Sequence, residues 1–280
     1  MAMAISGRLV LAGTLLAVGV LATGCRYGFN AESNQATDDT ALNQSISEVH
    51  VNSGAGDVSV QVGSTASVHR IVHYADSKPG SSQTVAGGVL TLNDCGDNCT
   101  ADYVVTLPAN AKVDGGTSSG NITVSGASSV NVQSSSGDVS VDAATGSVGV
   151  TSSSGDIKIA NAGADVQAKS SSGDIAVNGV TGTVNLQTSS GKLQATGTKG
   201  ASTTAHGNSG DIVISPAVAQ NLDLQSTSGD ITVTTPSGSY KVNVPSGSGD
   251  HRIGIPTDPN GQFTITASAD SGDVKISAAS

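Results

Sequence analysis

The stretch SSSGDVSVDAATGSVGVTSSSGDIKIANAGADVQAKSSSGDIAV, residues 134–177, decides the fold. Within it Gly137-Asp138, Gly155-Asp156 and Gly173-Asp174 stand 18 residues apart, each followed by alternating aliphatics: Val139/Val141, Ile157/Ile159 and Ile175/Val177. Outward from there the same unit recurs at Gly120, Gly191, Gly210, Gly229, Gly249 and Gly272. The intervals along the nine glycines are 17, 18, 18, 18, 19, 19, 20 and 23, a fixed period of the kind that marks a repeat architecture. Half a period away lies a second alternating pair, as in Val130/Val132, Val148/Val150, Val166/Ala168, Val184/Leu186 and Leu222/Leu224. From Val139 to Leu193 the leading inward positions therefore fall every nine residues.

Alternation at period two over four or five residues gives a strand with one buried face, and Gly with Ser, Asn or Asp supplies the turn between strands. Each half-period is one strand and one turn. If every repeat plays the same role, each strand stacks on its equivalent in the next repeat, parallel and about 4.8 Å away. The result is an all-β protein, a flattened parallel β-solenoid with two strands per turn of about 18 residues and two facing sheets. About four small aliphatics fill each turn, and Ser and Thr form hydroxyl ladders at the corners. The glycine of each Ser-Gly-Asp corner is expected at positive φ. This pattern covers residues 113–280. Residues 45–112, with shorter and less regular aliphatic runs such as Val58, Val60 and Val62, read as an N-terminal β cap over the first turn's unpaired backbone. The far end, Ser277 to Ser280, has no such cover.

Composition agrees with small residues and tight turns. The chain has 280 residues, 36 of them Gly and 42 Ser, with 36% hydrophobic, 12% charged and 2% aromatic residues and no Trp. Long amphipathic helices are excluded. The net charge of −10 repels phosphate and few aromatics are present for stacking, so nucleic acid is not an expected partner.

The N-terminus reads as an export signal. Residues 1–24 carry one charge, Arg8, then an apolar run from Leu9 to Leu21 too short to span a bilayer, then Ala22-Thr23-Gly24 before Cys25. This ending resembles the lipobox of bacterial lipoproteins, with Leu21 one residue further from the cysteine than is usual. The resemblance implies that Cys25 is lipidated and becomes the first mature residue, placing the chain at the outer face of the membrane, in the periplasm or at the cell surface. Residues 25–44 are then the lipidated cysteine and a polar, aperiodic tether.

Two cysteines remain, in Cys95-Gly96-Asp97-Asn98-Cys99. In an exported chain a disulfide is the expectation, because the Gly-Asp-Asn turn brings the two Cα atoms within reach of one another. A zinc site lacks further ligands nearby, since His69 and His73 lie more than 20 residues away.

The segment TLPANAKVDGGTSSGNITV, residues 106–124, followed by serial SSSGDI units, resembles the bacterial putative-adhesin domain of unknown function. The resemblance covers about residues 45–279 and implies an envelope-associated adhesive or sensing role without assigned catalytic residues.

Chemistry-bearing clusters are sparse. Asp250-His251-Arg252 is the best catalytic candidate, and a solvated turn explains it more simply. Asp138, Asp156, Asp174, Asp211 and Asp230, continued by Asp250 and Asp273, form a column in which calcium is one reading. The other is that each carboxylate accepts from turn amides, with Asn121 and Lys192 interrupting the column. Two functions remain: a lipid-anchored, non-catalytic binding module for an envelope glycan or surface protein, or a structural or regulatory envelope protein that contacts a partner in stress sensing.

Overall fold

A computed structural model describes residues 34–108, 111–245 and 247–279, all as strands and their connections. They form two sheets, one of 13 strands and one of 12. Through the centre the chain alternates between the sheets, and each strand pairs in parallel with its equivalents one repeat before and after. In the 13-stranded sheet Val139 stands opposite Ile122 on one side and Ile157 on the other. In the 12-stranded sheet Val148 stands between Val130 and Val166. The parallel β-solenoid follows from the pattern that predicts it: Val139, Val141, Val148 and Val150 are buried between the sheets, while Ser140 and Gly149 face outward. Equivalent aliphatics make one core, its columns interrupted where Thr203 stands between Val184 and Leu222 and Gly115 between Val51 and Val132.

The two corners of each turn are built differently. At the Ser-Gly-Asp corner the buried hydroxyl three residues before the glycine closes the turn: Ser134 Oγ donates to the Gly137 carbonyl at 2.7 Å. Ser152 and Ser170 instead accept from the amides of Gly155 and Gly173 at 2.9 and 2.8 Å. These glycines are not among the positive-φ residues, contrary to expectation. Their role is close approach. A Cβ on Gly137, Gly155, Gly173 or Gly191 would stand 2.0–2.1 Å from the carbonyl oxygen of the equivalent glycine one turn earlier. The left-handed backbone occurs at the opposite corner, at Gly126, Ala143, Asn161, Gly179 and Gly197.

Both ends depart from serial stacking. The strands Glu48–Ser53 and Val58–Val62 are a turn of the solenoid itself, pairing in parallel with Lys112–Thr117 and Ile122–Ser125. Gly56-Asp57-Val58-Ser59-Val60 repeats residues 137–141 letter for letter. A further turn, Val89–Asn93 with Cys99–Leu107, stacks on the outer side of that one. Residues 45–112 are thus solenoid as well as cap, and the cap proper is antiparallel. Ser67–Tyr74 pairs with Cys99–Leu107, Gln83–Ala86 with Val89–Asn93, and Asn34–Ala41 with Ser67–Tyr74.

That last pairing corrects the tether expected over residues 25–44: Asn34–Ala41 is the edge strand of the 13-stranded sheet. At the other end Val274–Ala278 inserts between Ile231–Thr235 and His251–Gly254, so the final strand is interior. In register, the inserted strand carries Val274 where the displaced one carries His251. Val274 and Ile276 are buried, whereas Ile253 of the displaced strand is 45% exposed.

Candidate functional site

The Asp column is continuous with the backbone. Asp138 Oδ1 accepts from the Asp156 amide at 2.9 Å, Asp156 Oδ1 from Asp174 at 2.9 Å and Asp174 Oδ1 from Lys192 at 2.7 Å. The column resumes with Asp211 Oδ1 accepting from Asp230, Asp230 from Asp273 and Asp273 from Asp250. It extends further toward the N-terminus than the repeat count indicates: Asp102 accepts from Asp57, Asp57 from Asn121, and Asn121 from Asp138. Asn121 is therefore a member of the column, because an amide oxygen accepts as a carboxylate does. Each of these side chains holds the next turn in register. Among the described residues no group of three or more His, Cys, Asp or Glu is placed to hold a metal ion.

Cys95 and Cys99 are joined in a disulfide with their Cα atoms 5.9 Å apart, as the turn residues between them predict. Cys25 lies outside the described residues. Asp250 and Arg252 approach to 3.6 Å with both side chains about three-quarters exposed, a solvated pair.

A second cluster was not legible beforehand. Arg70, 2% exposed, donates to Asp38 Oδ2 at 2.6 Å, to the Gly80 carbonyl at 2.7 Å and to Ser82 Oγ at 2.7 Å. Lys78 Nζ holds the other Asp38 oxygen at 2.5 Å. The Tyr103 hydroxyl bonds Ser82 and donates to the Asn93 carbonyl at 2.8 Å. The Lys78 ammonium, together with the Arg70 guanidinium, holds the Asp38 carboxyl below its usual range, and burial pushes the Tyr103 hydroxyl up. Charge pairing here fastens the edge strand to the cap. Asp38, Arg70 and Lys78 also line an open groove of about 520 Å³, bounded further by Thr37, Thr40 and Gln83.

The outer faces of the two sheets differ. On the 12-stranded sheet His50, Asp114, Asn131, Gly149, Gln167 and Asn185 follow one another across adjacent strands in one outward row, with Asn52, Gly116, Gln133, Thr151, Lys169 and Gln187 in the next. His50 Nδ1 lies 3.1 Å from Asp114 Oδ2. A groove of about 560 Å³ opens over His50, Asn52, Asp114, Gln133 and Thr151. A second, of about 410 Å³, opens farther along the same face over Thr204, Asp223 and Gln225. On the 13-stranded sheet the outward side chains leave a groove of about 490 Å³ floored by Ala160 and Ala176.

The family model described as Toastrack DUF4097 matches residues 37–179 and again 163–280. The chain belongs to the Toastrack DUF4097 family. The Toastrack match begins inside the edge strand Asn34–Ala41, so it takes in the antiparallel cover along with the solenoid. No curated protein matches the sequence.

Solved structures similar to this Toastrack chain include a "putative adhesin" from Bacteroides fragilis NCTC 9343, 12% identical, covering 90% of this chain and all of that one, with a TM-score of 0.46. A "putative adhesin" from Parabacteroides merdae ATCC 43184 is 13% identical over 88% of this chain and 96% of that one, with a TM-score of 0.36. A "putative cell adhesion protein" from Clostridium sporogenes ATCC 15579 is 10% identical over 89% of this chain and all of that one, with a TM-score of 0.25.

Proposed function

We propose that the protein is a non-catalytic, adhesin-like binding module held at the outer face of the membrane by a lipid on Cys25. The observation that carries this reading is the use of its polar side chains. The carboxylates of the Asp column accept from backbone amides of neighbouring turns, and Asp250 and Arg252 of the candidate cluster are open to solvent. What remains is an extended slab with a regularly repeated polar surface, an arrangement suited to holding a ligand in place. The Ala22-Thr23-Gly24-Cys25 ending supports the anchor, and the named similarity of the solved structures is consistent with a surface role.

The test is retention of the full chain on an isolated envelope fraction, alongside release of the Cys25→Ser variant from membranes. Retention of the wild type with no turnover of envelope material is expected, and turnover abolished by His251→Ala would overturn the non-catalytic reading. A second reading, contact with a partner protein, has one observation in its favour: at the C-terminal end Ile253 stands 45% exposed on the outermost strand of the 13-stranded sheet. A single crosslinked protein, lost on Ile253→Asp, would favour it.

A further inference from the structure

We infer that the outer face of the 12-stranded sheet is a binding surface for an uncharged polysaccharide laid along the solenoid axis. This rests on the reading of the protein as an envelope-binding module and names the ligand class and the face.

Three observations converge on that face. The first is unmet hydrogen bonding. Among the described residues, six buried side-chain polar atoms have no partner, and three of them, Asp114 Oδ1, Asn185 Oδ1 and His206 Nε2, belong to outward positions of this one sheet. Among the described residues the other sheet's outward face has none, since His251 of its outermost strand stands in the inward row opposite Val274. On that outward face Asn178 donates to Thr196 and Gln61 to Thr106, so two of its three outward amides are partnered within the sheet. A native structure leaves few such groups unpaired, and their clustering marks the face of the 12-stranded sheet as the less fully satisfied of the two.

The second is chemistry. Between the strands Glu48–Ser53 and Asn221–Ser226 the two outward rows hold sixteen positions, and seven are Asn or Gln. The same eight turns of the 13-stranded sheet hold three, Gln61, Asn178 and Gln194. A side-chain amide both donates and accepts, which matches vicinal hydroxyls that do the same. Formal charge in the two rows is limited to Asp114, Lys169 and Asp223. A chain of net charge −10 disfavours a polyanion, and this face offers it one cation.

The third is extent. Asp114 and Asp223 each line one of the two grooves; His50 Nδ1 lies 3.1 Å from the first, and His206 Nε2 lies 3.7 Å from the second, beyond hydrogen-bond reach. The two carboxylates lie six strand spacings apart, about 29 Å at 4.8 Å each. One ligand that reaches both is a polymer of several sugars.

The test uses the full chain against soluble β-glucan, mannan and chitin oligosaccharides, with alginate as the polyanion. Asn131→Lys with Gln133→Lys blocks the first groove; Ser140→Lys with Gln194→Lys places the same charges on the opposite face. Lys158 and Lys169 already occupy outward positions on the two sheets, so lysine is compatible with either face. The expected result is retention on at least one uncharged polysaccharide, weakened at least tenfold by the first pair and unchanged by the second, with long oligomers competing and monosaccharides failing. Equal loss in both pairs, binding to alginate alone, or binding to none of the four overturns the assignment. If the same chain is still retained on the envelope fraction, only the ligand class and face fail; if it is not, the binding-module reading fails with them.

Discussion

A methyl group on Gly155 would stand 2.0 Å from the carbonyl oxygen of Gly137. The two glycines are equivalents one turn apart, and the contact recurs along the column, so the spacing of the whole stack depends on the missing side chain. Gly155→Ala forces backbone against backbone and is expected to cost about 3 kcal/mol or more. Gly80→Ala, where a Cβ meets nothing within 4 Å, stays within about 0.5 kcal/mol. Paired chemical denaturation curves check both.

Ala143 carries a φ of 54°, at a corner where Gly126 stands one turn before it and Gly179 two turns after. An L-residue with a Cβ pays about 1–2 kcal/mol in that region, partly offset by the greater freedom of glycine in the unfolded chain. Ala143→Gly is therefore expected to stabilise by about 0.5–1 kcal/mol. Asn161→Gly gains less, because Asn tolerates the left-handed region and Asn161 donates to Asp142 at 2.9 Å. Thermal midpoints of the two variants rank the effects.

Asp38→Ala removes the carboxylate that Arg70 and Lys78 share. Arg70 is left buried, with Gly80 and Ser82 as its remaining acceptors. Breaking a fully buried pair costs about 3–5 kcal/mol; with Asp38 29% exposed the expected loss is about 2 kcal/mol. It falls on the edge strand, so amide exchange of residues 34–41 accelerates while Val139 and Ile157 keep their protection.

Acid acts through the same carboxyl. Its folded pKa lies below 3.8, held there by Lys78 and Arg70, so the stabilisation is complete above that value and is lost as pH falls through the lower folded value. Exchange rates of residues 34–41, corrected for the intrinsic pH dependence, are expected to rise on acidification below pH 3.8 in the wild type. In Asp38→Asn that additional rise is absent.

The period, the inward aliphatics and the corner hydroxyls were legible because each repeats at fixed spacing: Val139, Ile157 and Ile175 specify their own neighbours. Gly56-Asp57 carries the same motif, but 64 residues separate Gly56 from Gly120, and an interval that long hides a turn that stacks out of order. The edge strand was illegible for a different reason. Asn34–Ala41 reads NQATDDTA, with no apolar alternation, and is secured by Asp38 pairing with an arginine 32 residues away. Nor does alternation distinguish the two outward faces, since both are polar; the difference lies in which polar atoms find partners, a property of three-dimensional neighbours.

Carbodiimide labelling of carboxylates on the full chain, with and without the isolated envelope fraction, addresses the binding face most directly. Asp114 and Asp223 report on the 12-stranded sheet and Asp142 on the other. Protection of Asp114 and Asp223 with Asp142 unchanged is the expected result. Protection of Asp142 alone, or no protection of any of the three while the protein is retained, would contradict it.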